Sequence, residues 1–399
     1  MIYYSIKSLK TYEKVIFILL FLFFLVISII RGNSINETTD FYVFWLAGKN
    51  YYAGNQMYLL QNGQLQFLYP PFAAMLFGVL AIFPLKIAAI SFSIFNVFLV
   101  LACFYYSKII IERLLKIEIN NLVLILTFIF TINYHISNLN LVQVNLVLFF
   151  FTLLFLKYYL QSNYFLAGLF LAVAISFKVT PVIFLPWLFI RGNFKTSIYT
   201  IVSLSFLVIV PLLFRGVNTG IEDLKLFFDT MVKYAPEGAP EGYSSSRSLK
   251  SALSNYLINY HSINESIKQL IINYLPILLG LTYIAWLIIQ NIKKIPINYF
   301  ELSGTYLIIL LTSAVTGDAH MVALTFPVMG LLAIGLHDQN KKYKYLVLAL
   351  GIIFISPIGE TLSYILLFKI CVYTLNMLII YLLNIYFSFK SPIQQESGY

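Results

Sequence analysis

Charge is scarce in this sequence: Asp, Glu, Lys and Arg together make up 11% of its 399 residues, while 60% are hydrophobic. A soluble domain carries about 25% charge, so a soluble enzyme is excluded. Missing too are the short alternating segments that build membrane barrels. Apolar runs of membrane-spanning length recur from end to end. The chain therefore reads as an all-α polytopic membrane helix bundle, one domain over 1–399. Cysteine is limited to Cys103 and Cys371. Both fall inside apolar runs and read as small buried hydrophobes, which implies neither a disulfide framework nor a metal cluster. A Walker A loop, a G-x-G-x-x-G opening a helix, an H-E-x-x-H pair and a serine nucleophile elbow are all missing. A nucleotide-sugar or ATP site is thus unsupported, and an activated donor is expected to be a lipid.

What is present is a series of apolar segments. About twelve spans are expected, near 15–30, 87–107, 121–136, 141–157, 164–177, 179–190, 196–214, 270–290, 299–316, 319–336, 344–358 and 362–388. The first follows Lys7, Lys10 and Lys14 with no small-residue cleavage site after it, as in a retained signal-anchor helix. Pro181, in "SFKVTP", must break or bend the chain between the fifth and sixth.

The net charge of +10 points to cytoplasmic loops and not to nucleic acid. With both termini cytoplasmic, the inner loops hold about one basic residue in four positions and the outer ones about one in twelve. That asymmetry decides how "YPPFAAMLFGVLAIFPL" is read. A span there would put Lys108, Arg113 and Lys116 outside, so 72–84 is expected as a short interfacial helix bracketed by Pro70, Pro71 and Pro84. Two long loops, 31–86 and 215–269, then lie outside, and the exposed chemistry with them. The stretch "YAPEGAPEGYSSSRSLKSALSNYL" starts irregular and returns to helical spacing at "SLKSALSNYL". The tail "SPIQQESGY" reads as disordered.

Ionisable groups near hydrocarbon are costly, which makes them functional candidates. The layout gathers Asp40, Lys178, Arg247, Asp318 and His320 at the outer mouth of the bundle. Asp40 with two cations, an imidazole and a second acid at one water–lipid boundary suits a phosphorylated lipid, its anionic head against Lys178 and Arg247. The acid can act as a base on an incoming hydroxyl. Structural alternatives stand beside each. Asp40 and Asp318 suit helix N-caps, Lys178 can snorkel, Arg247 suits a solvated loop, and His320 suits a helix start. His135 and His261 suggest nothing, and His337 reads as surface. In "NLNLVQVNLVLFF", Asn138, Asn140, Gln143 and Asn145 enter one apolar helix; they either tie helices together or line a polar cavity.

Four segments in order carry a family resemblance. The first is "TDFYVFWLAGKNYYAGNQMYLL", an acid, an aromatic-rich helix and a Gly-x-x-x-Tyr turn, leading to "YPPFAAML". The second runs from "NLVQVNLVLFF" through Ala167-Gly168 to "KVTP". The third is "SSSRSLKSAL". The fourth is "TSAVTGDAHMVALTFPVMGLL", which lacks the Ser-Pro usual there. The set resembles the C-superfamily glycosyltransferases, most closely glycosyltransferase family 87, the polyprenol-phosphate-mannose-dependent mannosyltransferases, over most of 15–336.

That resemblance implies a hexosyltransferase of the plasma (inner) membrane that uses a polyprenyl-phosphate sugar, with mannose first. The acceptor hydroxyl belongs to a glycolipid, a polysaccharide or a protein outside the cytoplasm. It implies Asp40 as the general base, Lys178 and Arg247 near the donor phosphate, and His320 close to the reacting centre. Asp318, Gln143, Asn145 and Tyr69, which opens "YPPFAAML", complete the expected substrate-binding set. No metal or cofactor is implied; membrane lipid is the surrounding partner. Two rivals remain: a lipid-linked glycan flippase or transporter, whose ionisable groups should sit near the bilayer midplane, and a polysaccharide polymerase or ligase, built on outer-loop arginines.

Overall fold

The structure, a computed structural model, describes residues 11–58, 66–237, 246–258, 264–337, 341–355, 358, 361 and 372–390. Its described residues form helices and connections, with no strand among them. In order they are α1 (Thr11–Asn33), α2 (Asp40–Ala53), α3 (Pro71–Leu80), α4 (Leu85–Leu115), α5 (Asn121–Asn140), α6 (Asn145–Leu160) and α7 (Tyr164–Phe177). A 3-10 turn (Thr180–Ile183) then leads to α8 (Phe184–Ile190), α9 (Phe194–Arg215), α10 (Val217–Glu237), α11 (Leu249–Ile258), α12 (Glu265–Ile292) and α13 (Tyr299–Thr312). A second 3-10 segment (Asp318–Leu324) precedes α14 (Thr325–His337), α15 (Lys341–Ile353) and α16 (Val372–Lys390).

Six units are long and apolar enough to cross a membrane: α4, α5, α9, α12, the run Asp318–His337 and the run Val372–Phe389. The other apolar helices are shorter. Buried residues pack into one large core that runs from α2 and α3 through α6, α7 and α8 to α13 and α14. In contrast, α9 and α12 leave most of their apolar surface uncovered, including Phe206, Leu213, Tyr274 and Leu281.

Most expected spans coincide with helices, and the differences have local causes. The expected break at Pro181 is real: α7 stops at Phe177, Lys178 is extended, and Pro181 sits in the 3-10 turn. The short helix expected over 72–84 is α3, with Pro71 in its first turn and Pro84 before α4. The long segment after Arg215 holds a helix that was not expected, α10, and the helical spacing of "SLKSALSNYL" is realised as α11. The four amides do not enter one helix. Asn138 and Asn140 end α5, Gln143 lies in the turn, and Asn145 opens α6. Val142 in that turn has φ 50°, a left-handed conformation that a β-branched residue rarely adopts. Cys103 is buried with a free thiol. Lys7, Lys10, His261, Cys371, the segment 238–245 and the tail "SPIQQESGY" lie outside the described residues.

Contacts sort into the two ends of the bundle. At the end holding the start of α7, Arg113 donates to the Leu160 carbonyl. There too Arg191 forms a buried ion pair with Glu301, bonds to Ile295 and Gln290, and shares Glu301 with the Trp187 indole. Arg191 is thus neutralised. At the end holding Lys178, Arg215 pairs with Asp223 at 2.8 Å and donates to the carbonyls of Asn50, Tyr51 and Asn55. That hub ties α9 and α10 to the C-terminus of α2.

Candidate active site

The turn before α2 is a local product of its sequence. Asn36 Oδ1 accepts from both the Thr38 amide and hydroxyl, and Thr39 Oγ1 donates back to the Asn36 carbonyl. The chain then enters α2 with Asp40 as its first residue. Asp40 follows the N-cap Thr39, and no side-chain cap bond forms there. Its charge suits the positive end of the helix, but its side chain is turned to another partner. Behind it, Phe41 stacks on Phe92 and Phe44 stacks on Phe77, which locks α2 against α3 and α4. Gly48 and Gly78 let the two backbones cross: a Cβ on Gly48 would lie 2.4 Å from the Gly78 nitrogen.

Gln143 Nε2 donates to Asp40 Oδ2 at 2.6 Å. Gln143 is itself held, because its carbonyl accepts from Asn96 Nδ2 at 3.2 Å and Asn138 Nδ2 at 3.3 Å. Burial raises the Asp40 pKa above its ordinary value; the Gln143 bond and then the Lys178 charge pull it back. Lys178, in the break after α7, lies within electrostatic reach of Asp40, and burial lowers its pKa to about 8 against the pull of that carboxylate.

Lys178 Nζ lies 2.7 Å from His320 Nε2 and 5.7 Å from the Tyr69 ring centre. His320 Nδ1 accepts from the Gly317 amide at 3.1 Å. A neutral imidazole so held has its proton on Nε2, facing the lysine amine. Two groups that both prefer to donate therefore face each other, and an anion placed beside the pair could accept from both. One residue before the buried Ala319, Asp318 pairs with Arg247 Nε at 3.1 Å. Arg247 also lies 4.8 Å from the Tyr373 ring, its amide donates to the Thr316 carbonyl, and its carbonyl accepts from Thr374. Arg247 is thus an anchored side chain and not a solvated one, and Asp318 is an ion-pair partner.

The expected residues come together as a chain of neighbours: Gln143, Asp40, Lys178, His320, then Asp318 and Arg247 through the shared 3-10 segment. Asp40, Tyr69, Lys178, Arg247, Asp318 and His320 are half-buried, whereas Gln143 and Asn145 are buried. Asn145 Nδ2 finds no acceptor among the described residues. His135, in contrast, is buried against Thr325 and Phe104, and His337 is exposed. Sequence reasoning passed over Asn96, a buried amide within the apolar α4, and Glu301, an acid inside an apolar helix. Each had the signal of a polar residue where burial is costly. Among the described residues, His, Cys, Asp and Glu nowhere gather in threes as a metal site would need.

No individual curated protein matches the sequence. The profile of glycosyltransferase family 87 matches residues 67–314, well over half of the chain. The matched stretch contains Tyr69, Gln143, Asn145, Lys178 and Arg247, with Asp40 before it and Asp318 and His320 just after it. The half-buried carboxylate, its cationic neighbour and this match agree: the chain belongs to glycosyltransferase family 87 and is a membrane glycosyltransferase.

Proposed function

We propose that this chain moves a hexose, mannose first, from a polyprenyl-phosphate donor to an acceptor hydroxyl outside the cytoplasm, with inversion at the anomeric carbon. The acceptor oxygen attacks the anomeric carbon on the face opposite the phosphate. The bond from that carbon to the phosphate oxygen breaks, its electrons leave with the polyprenyl phosphate, and the acceptor proton passes to Asp40. Lys178 and His320 donate to the phosphate oxygens as charge builds on them, and Arg247 supplies a second cation nearby. Tyr69 flanks the phosphate side, whereas Asn145, which is as buried as Gln143, backs the site rather than meeting the sugar. The single observation that carries this is the close set of Asp40, Lys178 and His320: a half-buried base within the field of a lysine that meets an imidazole at 2.7 Å.

Both termini are assigned to the cytoplasm and the site to the outer face of the plasma membrane. Support comes from the charge asymmetry of the loops and from the grouping of loop contacts at two ends of the bundle. Membership of a glycosyltransferase family favours transfer over flipping.

The test uses purified protein in lipid with radiolabelled polyprenyl-phosphate mannose and membrane acceptors. Wild type should form product. Asp40→Asn should lose turnover by about 100-fold or more while still binding donor. Transfer from a glucose or arabinose donor, with none from mannose, would overturn the sugar assignment. Full turnover by Asp40→Asn would overturn the base.

A further inference from the structure

The turn between α5 and α6 has an unusual build. Val142 is fully buried and takes φ 50°. Such backbone persists only where the surroundings enforce it. Here the enforcement is visible: Asn96 from α4 and Asn138 from α5 both donate to the next carbonyl, that of Gln143. The Gln143 side chain is 7% exposed, so it offers substrate little surface. A carboxylate only accepts, so the amide end facing Asp40 must be Nε2. Oδ2 of Asp40 is thereby occupied, and Oδ1 accepts no hydrogen bond among the described residues.

We propose that Gln143 is a positioning residue: by holding Oδ2 it directs Oδ1 of Asp40 toward the acceptor hydroxyl, and the strained Val142 turn with Asn96 and Asn138 sets where Gln143 stands. The inference rests on Asp40 being the base. The other charges around Asp40 are few. Lys178 acts on it from the break after α7, with His320 beyond. Among the elements packed on α2, α3 carries no charged side chain, α4 has only the exposed Lys86 at its near end, and α9 and α10 bring the mutually paired Arg215 and Asp223 to the opposite, C-terminal end of α2. Exposed Glu37 precedes α2, and exposed Lys49 lies further along it. Gln143 is therefore the group whose removal should change Asp40 most directly, since its bond favours the ionised form.

Protonated carboxyls react with carbodiimides, so the pH dependence of Asp40 labelling, read by mass spectrometry, follows its ionisation without any substrate. Gln143→Leu and the equal-volume Gln143→Glu should each move the labelling midpoint upward by about one pH unit. The acid limb of kcat with polyprenyl-phosphate mannose should move with it, and the donor KM should stay within about twofold of wild type. If Gln143→Leu does not fold, Gln143→Glu alone carries the reading. An unmoved midpoint in the folded variants overturns the proposal, as does a raised donor KM with an unmoved acid limb, which would make Gln143 a substrate contact. Retained turnover in Asp40→Asn would instead remove the base assignment, an outcome the labelling shift does not depend on.

Discussion

Asp40 and Lys178 are each perturbed mainly by burial and then partly compensated by the other. Their directions give a signed expectation for the free enzyme. Below the raised Asp40 pKa the carboxyl is protonated and cannot take the acceptor proton, so activity falls on the acid side. Above about pH 8 Lys178 loses the charge that the proposed mechanism sets against phosphate, so activity should fall on the alkaline side too. The pH profile of kcat/KM should be bell-shaped. Bound phosphate favours the charged amine, so the alkaline limb of kcat should lie higher than that of kcat/KM. Steady-state rates across pH, at low and saturating donor, check this; an alkaline limb that is identical in both would show that Lys178 does not meet the donor. At this scale the residue types were legible, because an acid or amide in an apolar chain stands out. Their pairings were not. Nothing along the chain ties position 40 to position 143, or position 178 to position 320.

Among the elements, the α2–α3 crossing has the most direct bearing on the site, because α2 carries Asp40. A Cβ on Gly48 would meet backbone atoms of Phe77 and Gly78 at 2.5 Å or less. Backbone cannot rotate away as a side chain can, so Gly48→Ala must push the helices apart. It should destabilise the protein by about 1–3 kcal/mol and lower kcat by moving Asp40. Gly280 in α12 is the control, since a Cβ there meets nothing within 4 Å. Gly280→Ala should be neutral or stabilising by up to about 1 kcal/mol. Thermal unfolding in detergent, with activity measured alongside, separates the two. Helix positions were largely readable from apolar runs and from Pro71, Pro84 and Pro181. The helix α10 was hidden because its sequence is only moderately apolar. Its buried face is defined by partners far away, Tyr58 against Phe227 and Gln66 against Thr230.

For the whole molecule, the assigned topology predicts which surfaces an impermeant thiol reagent reaches. In a background with Cys371→Ser, and with Cys103 buried, a cysteine at the exposed Asn36 should label from outside intact cells. A cysteine at the exposed Gln161 should label only after permeabilisation. Outside labelling at Gln161 would reverse the orientation and move the site to the cytoplasm.

The linear chain determined the membrane setting, the helical class and the residue types available for chemistry. Those follow from composition and local periodicity, which each segment carries by itself. Only the tertiary structure decided that Gln143 meets Asp40, that Lys178 meets His320 and that Arg247 is held by Asp318. Such contacts arise where helices distant in sequence cross at one end of the bundle. The crossing is set by the packing of many side chains together, Phe41 and Phe44 on their aromatic partners and two glycines back to back among them, and no single segment encodes it.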